Sequence, residues 1–188
     1  MNPTVSRHLP PIFDLGGGVS LRAAEPDDAE AVYSVVDANR EHLAVWLPWV
    51  DGSREPRDTR AFLERDAVQP SLGVTAATYL IREGDAIAGV IGLHDIDAVN
   101  RSFLIGYWLA KSSEGRGLIT RSCQRLLATA FEECHMERAV IRCAVGNARS
   151  AAVPKRLGFT LEGIERHGQV LHGGFVDLER YSLLRTDP

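Results

Sequence analysis

The chain has 188 residues, of which 45% are hydrophobic and 24% are charged, and its formal net charge is -4 at pH 7. This composition is typical of one globular domain, and it excludes a disordered, collagen-like or coiled-coil chain. The acidic balance argues against charge-driven binding of nucleic acid. No apolar run approaches the ~18 residues that a membrane span needs, so no membrane partner is expected.

The cysteines favour a reducing compartment. There are three of them, Cys123, Cys134 and Cys143, and no Cys-x-x-Cys pair. An odd count without that pair predicts neither a disulfide framework nor a zinc site. The N-terminus also lacks a basic segment followed by an apolar one, which argues against a secretory signal. We therefore expect a cytoplasmic protein that needs no metal.

The N-terminal half predicts an alternation of strands and helices. Residues 1–18 end in three glycines and are expected to be a flexible lead-in, followed by a single domain over 19–185. Pro26 opens a helix whose apolar residues recur at helical spacing. The predicted elements are a strand at 19–22, the helix from Pro26, a short helix and proline-broken loop at 43–50, a helix at 57–68, and a hairpin of strands at 74–81 and 86–93.

The C-terminal half is organised around a strand at 103–109. This strand is apolar on both alternating faces, which indicates a central position covered on both sides. A long amphipathic helix, a buried strand at 139–145, a short helix at 149–157 and two strands at about 159–170 and 175–184 follow it. The order predicts an α/β (α+β) domain built around one mixed sheet.

A glycine-containing loop joins that central strand to the long helix. Its sequence is Glu114-Gly115-Arg116-Gly117, and the helix begins directly after it. The first turn of a helix has unpaired N–H groups at the positive end of the helix dipole, so such a loop suits a phosphate. A bare Gly-x-Gly is more often only a tight turn. The Walker ending is absent, and Thr120 occupies the position of the third glycine in Gly-x-Gly-x-x-Gly.

Four stretches taken together resemble the GNAT acetyltransferases, and most closely the RimL/RimJ group, which acetylates protein N-termini. They are Ile105-Gly106-Tyr107-Trp108-Leu109, the loop 114–117, Asn147-x-x-Ser150, and Leu157-Gly158-Phe159. Their order and spacing cover roughly residues 19–184. The resemblance implies the GNAT fold, a mixed central sheet of about seven strands with helices on both faces and a splayed pair of parallel strands. It also implies acetyl-CoA as co-substrate.

The resemblance assigns the acetyl-CoA site. The strands 103–109 and 139–145 would part around the pantetheine arm, and the backbone amide of Leu109 would stabilise the oxyanion of the thioester. Asn147 and Ser150 would contact the cofactor, although capping of the following helix explains both residue types equally well. The pyrophosphate would bind the amides of Glu114, Gly115, Arg116, Gly117, Leu118, Ile119 and Thr120. Glu114 departs from the family's usual Gln or Arg, and we expect its side chain to point away from the phosphates.

Proton transfer departs from the family pattern at two positions. The tyrosine that protonates the departing CoA thiolate is replaced by Pro154, and in the RimL group the serine at the position of Ser150 is its substitute. The glutamate of the RimL group falls on Gln169. Candidate bases are therefore His94, Asp95 and Glu162, with His94 favoured because imidazole titrates near neutrality.

The acceptor side carries aromatic candidates. Trp46, Trp49 and Tyr107 are expected to bind the acceptor, with core packing as the alternative. The expected reaction is direct attack of a protein N-terminus on acetyl-CoA in a ternary complex. The alternatives are a small-molecule amine as acceptor, a non-catalytic acyl-CoA sensor and, least favoured, a nucleotide-binding protein. The resemblance also suggests a homodimer.

Overall fold

A central sheet of eight strands organises the protein, as seen in a computed structural model that describes residues 9–66 and 76–188. Its spatial order is β1-β2-β3-β4-β5-β6-β8-β7, and every neighbouring pair is antiparallel except β5–β6. The last two residues of the predicted helix at 57–68 and the first two of the predicted strand at 74–81 lie outside the described residues. The strands are β1 (Ile12–Gly16), β2 (Val19–Ala23), β3 (Ala76–Glu83), β4 (Ala86–Asp97), β5 (Ser102–Leu109), β6 (Arg138–Ala144), β7 (Thr160–Leu171) and β8 (Gly174–Leu184).

Helices cover both faces of this sheet. They are α1 (Ala29–Ala38), α2 (Arg40–Ala44), α3 (Pro56–Asp66), α4 (Leu118–Ala128) and α5 (Ala148–Arg156). Short 3-10 turns at Pro26–Asp28, Pro48–Asp51 and Lys111–Ser113 connect them, and α4 ends in a π-helical turn. None of the helices in the two described ranges combines the length and the apolarity needed to cross a membrane.

Two apolar clusters hold the layers together. On one face, Phe103 and Ile105 of β5 belong to the same buried cluster as Leu126 of α4. On the other face, Val36 of α1 packs with Val90 of β4, and Trp108 of β5 lies against them. Because β5 alternates between the two clusters, both of its faces are covered, as its apolar pattern predicted. The mixed α/β architecture with helices on both faces is confirmed.

The N-terminal segment differs from the expectation. Residues 1–18 were expected to be a flexible lead-in, yet Ile12–Gly16 forms an edge strand that pairs with β2. The glycines at 16–18 all have positive φ and make the tight turn of a hairpin. Phe13 is only 2% exposed and packs on the ring of Tyr79, with the ring centroids 5.5 Å apart. This strand is the eighth, one more than the seven expected.

The parallel strands β5 and β6 diverge, as expected for the fold. Their pairing extends only over Ser102–Leu104 of β5 and Arg138–Val140 of β6. Beyond these residues β5 continues to Leu109 along β4, whereas β6 continues to Ala144 along β8. A gap therefore opens in the middle of the sheet, towards the C-terminal ends of both strands.

Candidate active site

The backbone of β5 presents an N–H group to this gap. Ala110 N donates to Ala88 O of the adjoining strand segment at 2.8 Å. Successive residues of a strand direct their N–H groups to opposite sides, so Leu109 N–H points away from β4 and towards the β6 side. Leu109 lies five residues beyond Leu104, the last residue of β5 paired with β6. The arrangement leaves this amide facing the cleft between the parted strands.

A glycine on the neighbouring strand permits this backbone position. Gly89 pairs with Leu109, and a Cβ atom built on Gly89 would lie 2.2 Å from Trp108 O. A side chain therefore cannot be accommodated there without moving β5. The absence of a side chain at Gly89 allows the close approach of the two strands directly beside Leu109.

The loop after β5 places a helix N-terminus at the same end of the gap. Gly115 and Gly117 have φ of 75° and 71°, in the left-handed region that favours glycine. Arg121 N donates to Gly117 O at 3.0 Å and begins the helical hydrogen bonding, so the amides of residues 118–120 have no partner within the helix. The side chains of Leu118 and Ile119 are buried, 2% and 8% exposed. Only the backbone of these two residues is left for a ligand.

The charged side chains of the loop are committed to protein partners. Glu114 forms an ion pair with Arg149 of α5, and its carboxylate lies 3.2 Å from Nε2 of His42 of α2. Its orientation away from a bound phosphate stays a prediction. Arg116 pairs with Glu83 at the end of β3. The backbone thus supplies most of the positive potential at this loop.

Asn147 and Ser150 lie together at the start of α5. The side chain of Asn147 caps the helix by accepting from Ser150 N at 3.2 Å. The capping explanation for Asn147 is thus confirmed, whereas its contact with the cofactor stays a prediction. The Ser150 hydroxyl lies 3.3 Å from the Tyr107 hydroxyl.

The Tyr107 hydroxyl forms a hydrogen bond from β5 to α5 at a carbonyl that a proline leaves free. Pro154 stands inside the helix and has no N–H to donate to the carbonyl of Ser150, four residues earlier. The Tyr107 hydroxyl donates to that carbonyl instead, at 3.2 Å. Since a phenol has one proton, the Ser150 hydroxyl is the donor in its own contact with Tyr107. Burial raises the pKa of Tyr107, so the phenol stays protonated at neutral pH.

The cysteine beside this cluster is chemically quiet. Burial, followed by the nearby Glu179 carboxylate, raises the pKa of Cys143 to about 11. Thiols react as thiolates, so a thiol held protonated is a poor nucleophile.

The acceptor candidates separate into two locations. Trp49 and Tyr107 line a cavity of about 500 Å³ between α1, α3 and the sheet. Trp46 is half-buried outside that lining; its carbonyl accepts from Gln169 Nε2 at 3.3 Å, and its ring reaches towards Gly146. The lining residues are Val32, Val36, Leu47, Trp49, Gly52, Ser53, Asp58, Thr59, Phe62, Arg65, Val90, Gly92, His94, Gly106, Tyr107 and Trp108.

His94 occupies a niche made by two glycines. Gly92 and Gly106 face each other across β4 and β5. A Cβ atom at Gly92 would lie 2.8 Å from His94 Nε2, and one at Gly106 would lie 3.2 Å from it. The imidazole therefore rests on both backbones, and it makes no hydrogen bond to any residue within 9–66 and 76–188. Gly106 and Leu109 are three residues apart, so the ring is ~10 Å from the Leu109 amide along the strand.

The other candidate bases lie elsewhere. Glu162 on β7 is held by Arg138 and Ser182 at 2.7 and 2.8 Å. The hydrogen bond from Arg138 is the largest cause that lowers the pKa of Glu162 to about 2. This carboxylate is an ion-pair partner and a very weak base. Asp95 is exposed, with a positive φ of 48°.

Several residues of the site escaped the sequence reasoning. Trp108 lines the cavity, as does Phe62 of α3. His42 pairs with the loop glutamate, and Gln169 holds the segment that carries Trp46. Gly92 and Gly106 are visible in the sequence, but they indicate a niche for His94 only once the register of β4 against β5 pairs them.

Comparison with known proteins agrees with this geometry. Residues 19–160 match the family described as acetyltransferase (GNAT) domain. The putative ribosomal N-acetyltransferase YdaF of Bacillus subtilis is 36% identical over 90% of this chain and 92% of its own. The ribosomal-protein-serine acetyltransferase of Escherichia coli is 29% identical over 87% and 91%. A solved structure of RimL, a ribosomal L7/L12 alpha-N-protein acetyltransferase in complex with coenzyme A, has a TM-score of 0.87 and 31% identity over 92% of this chain and 97% of that one.

Proposed function

Because the chain belongs to the GNAT acetyltransferases and uses acetyl-CoA as its co-substrate, we propose that it acetylates the N-terminal amine of a protein of the ribosomal type. The observation that carries the proposal is the parting of β5 and β6 with the Leu109 amide turned into the gap. The names of two relatives, both acetyltransferases of ribosomal proteins, support this kind of acceptor.

Acetyl-CoA would lie along the gap with its pyrophosphate at the start of α4. The unpartnered amides of Leu118, Ile119 and Thr120, together with the turn at Gly115 and Gly117, suit a doubly charged phosphate group. The ion pair of Glu114 with Arg149 supports this location, because it offsets an opposing charge.

The reaction would be a direct attack of the neutral amine on the thioester carbonyl. The nitrogen forms the new C–N bond, the negative charge moves to the carbonyl oxygen beside Leu109 N–H, and collapse breaks the C–S bond. Holding both substrates in one cleft supplies much of the rate. The Ser150 hydroxyl would turn from Tyr107 to the departing thiolate and donate its proton there, while the serine oxygen takes a proton from solvent water.

The proton lost by the amine would go to His94. The imidazole lies in the cavity wall and makes no hydrogen bond to the residues that the structure describes. Since it lies ~10 Å along the strand from Leu109, the proton would reach it through water held in the cavity. Gln169 stands where the RimL group has a glutamate, and an amide cannot take this role.

The decisive experiment follows CoA release with a thiol reagent while mass spectrometry reads the acetylated amine. We expect peptides with a free N-terminus to be acetylated and the same peptides with a blocked N-terminus to be inert.

His94→Gln should lower kcat by ~10²-fold and remove a limb of the pH–rate profile, with the Kd of acetyl-CoA unchanged. Binding of acetyl-CoA without transfer to any amine would instead favour a sensor, and transfer only to small amines would overturn the protein acceptor.

We further propose a cytoplasmic homodimer. The three cysteines are buried and unpaired, which suits a reducing compartment. The β7–β8 hairpin exposes large apolar side chains that a second copy would cover: Leu161, Ile164, Val170 and Phe175. Sedimentation in solution would measure the state of assembly.

A further inference from the structure

The cavity on the α1 and α3 side of the sheet adjoins the reaction centre. Val90 and Trp108 form one register pair of β4 and β5, and the next pair is Gly89 with Leu109. Val90 and Trp108 both line the cavity. One end of the cavity is thus a single residue from the Leu109 amide, and the other end, at His94 and Gly106, lies two residues or ~7 Å further along the strands.

The walls of this cavity are mainly apolar. Trp49 and Trp108 line it with their ring centroids 6.2 Å apart, and Phe62 of α3 lines it as well. Val32 and Val36 of α1 complete the wall. A volume of about 500 Å³ falls within the ~300–1,000 Å³ of small-molecule sites. The space is large enough for a bulky substituent and offers it aromatic surfaces.

Three polar side chains of the lining have partners in the protein, and the guanidinium of a fourth, Arg65, lies 6.0 Å from the centroid of the Phe62 ring. The hydroxyls of Ser53 and Thr59 lie 3.4 Å from each other. Asp58 accepts from the backbone amides of Arg54 and Glu55 at 2.9 and 3.0 Å, at the start of α3. It is the one carboxylate among the described lining residues. A polyamine or aminoglycoside needs several carboxylates, and this wall does not supply them.

From these observations we infer the chemical class of the acceptor. It is a primary amine with a bulky apolar group, preferably aromatic, within one or two carbons of the nitrogen, and that group fills the cavity lined by Trp49, Phe62 and Trp108. A protein that begins with Phe, Trp or Leu and a small arylalkylamine share this chemistry. The inference rests on the proposed function and narrows it.

The test compares acceptors that differ only in this group. Peptides of one sequence that begin with Ser, Ala, Leu, Phe or Trp are assayed beside phenylethylamine and spermidine, and kcat/KM is measured by CoA release. We expect the Phe or Trp peptide to exceed the Ser peptide by at least ~10-fold, the size of a preference that apolar pockets achieve. Phenylethylamine should likewise exceed spermidine.

Two variants connect the preference to the cavity. Trp49 is 42% exposed, so Trp49→Ala should fold and should reduce the Phe-over-Ser ratio several-fold without changing the Kd of acetyl-CoA. Val45→Ala is the matched control, since Val45 is 46% exposed on the same segment and does not line the cavity; its ratio should equal that of the wild type.

The outcomes separate this inference from the proposed function. Preference for the Ser peptide or for spermidine, with normal CoA release, overturns the apolar acceptor and leaves the acetyltransferase in place. Transfer to phenylethylamine but to no peptide supports the apolar cavity and overturns the protein acceptor. Acetyl-CoA binding with no acceptor turned over overturns both.

Discussion

The backbone of Ser150 has a structural role, and its hydroxyl has a proposed chemical role, so a substitution can test one without the other. Its backbone N–H is capped by Asn147, whereas its hydroxyl contacts Tyr107. Ser150→Ala keeps the backbone N–H that Asn147 caps and removes the hydroxyl, which is the proposed proton donor to the thiolate. We therefore expect kcat to fall by ~10²-fold while the KM for acetyl-CoA changes little. Steady-state kinetics with a fixed acceptor peptide would measure this.

The control for Ser150 is a serine with a similar helical hydroxyl far from the cleft. Ser34 of α1 donates to Glu30 O, so Ser34→Ala should leave kcat unchanged. Ser150→Thr keeps a hydroxyl and should recover part of the rate. Equal activity of Ser150→Ala and the wild type would leave Ser150 with a structural role alone.

At this scale the sequence predicts local contacts and misses distant ones. The Asn-x-x-Ser spacing predicts the cap, because both partners lie in one helical turn. The bond from Tyr107 to the Ser150 carbonyl joins residues 43 positions apart, and it exists because Pro154 leaves that carbonyl free. Only the packed fold brings these three residues together.

Among the elements, β4 and β5 depend on the glycine at position 89. Gly89→Ala places a methyl group against Trp108 O, so β5 must shift beside Leu109. We expect a stability loss of ~1–3 kcal/mol and a fall in kcat/KM of at least ~10-fold. Thermal unfolding and CoA release would measure the two effects.

Gly174→Ala is the matched substitution within a strand. A Cβ atom at Gly174 would find its nearest neighbour at 3.8 Å, an ordinary contact. It should therefore keep near wild-type stability and activity. If Gly89→Ala behaved in the same way, the close approach of the two strands would not be needed to position Leu109.

The elements themselves were largely predictable. The two-faced apolar pattern of 103–109 identifies a central strand, and the helical spacing after Gly117 identifies α4. The strand Ile12–Gly16 was missed because the glycines that follow it are equally suited to a linker and to a hairpin turn. Pairing with β2 decides between them, and pairing is not a local property.

The whole molecule should respond to acid through Glu162. Its pKa in the folded protein is about 2, below its ordinary value of 4.5, chiefly because Arg138 donates to it. The ion pair thus contributes stability above pH 4.5, and this contribution is lost as the pH falls towards 2. We expect Glu162→Gln to be less stable than the wild type at pH 6 and to lose most of that deficit as the pH falls to 2. Urea unfolding at both pH values would measure this.

Glu64→Gln, at an exposed position on α3, is the comparison for Glu162. Its difference from the wild type should stay small at both pH values. A deficit of Glu162→Gln that did not depend on pH would show that lost packing, and not the charge, separates the two proteins. The pair joins β7 to β6 across β8, so its loss acts on the C-terminal part of the sheet.

The three residue pairs between β5 and β6 also divide the sheet into two antiparallel sections, β1 to β5 on one side and β6-β8-β7 on the other. Their shared backbone seam is short because the cleft begins where it ends. Additional backbone pairing of Leu109 with β6 would join the two sections over a longer stretch and close the cleft. A longer seam would therefore be gained only at the expense of the cleft, whereas acetyl-CoA bound in the gap would add contacts between the two sections without closing it.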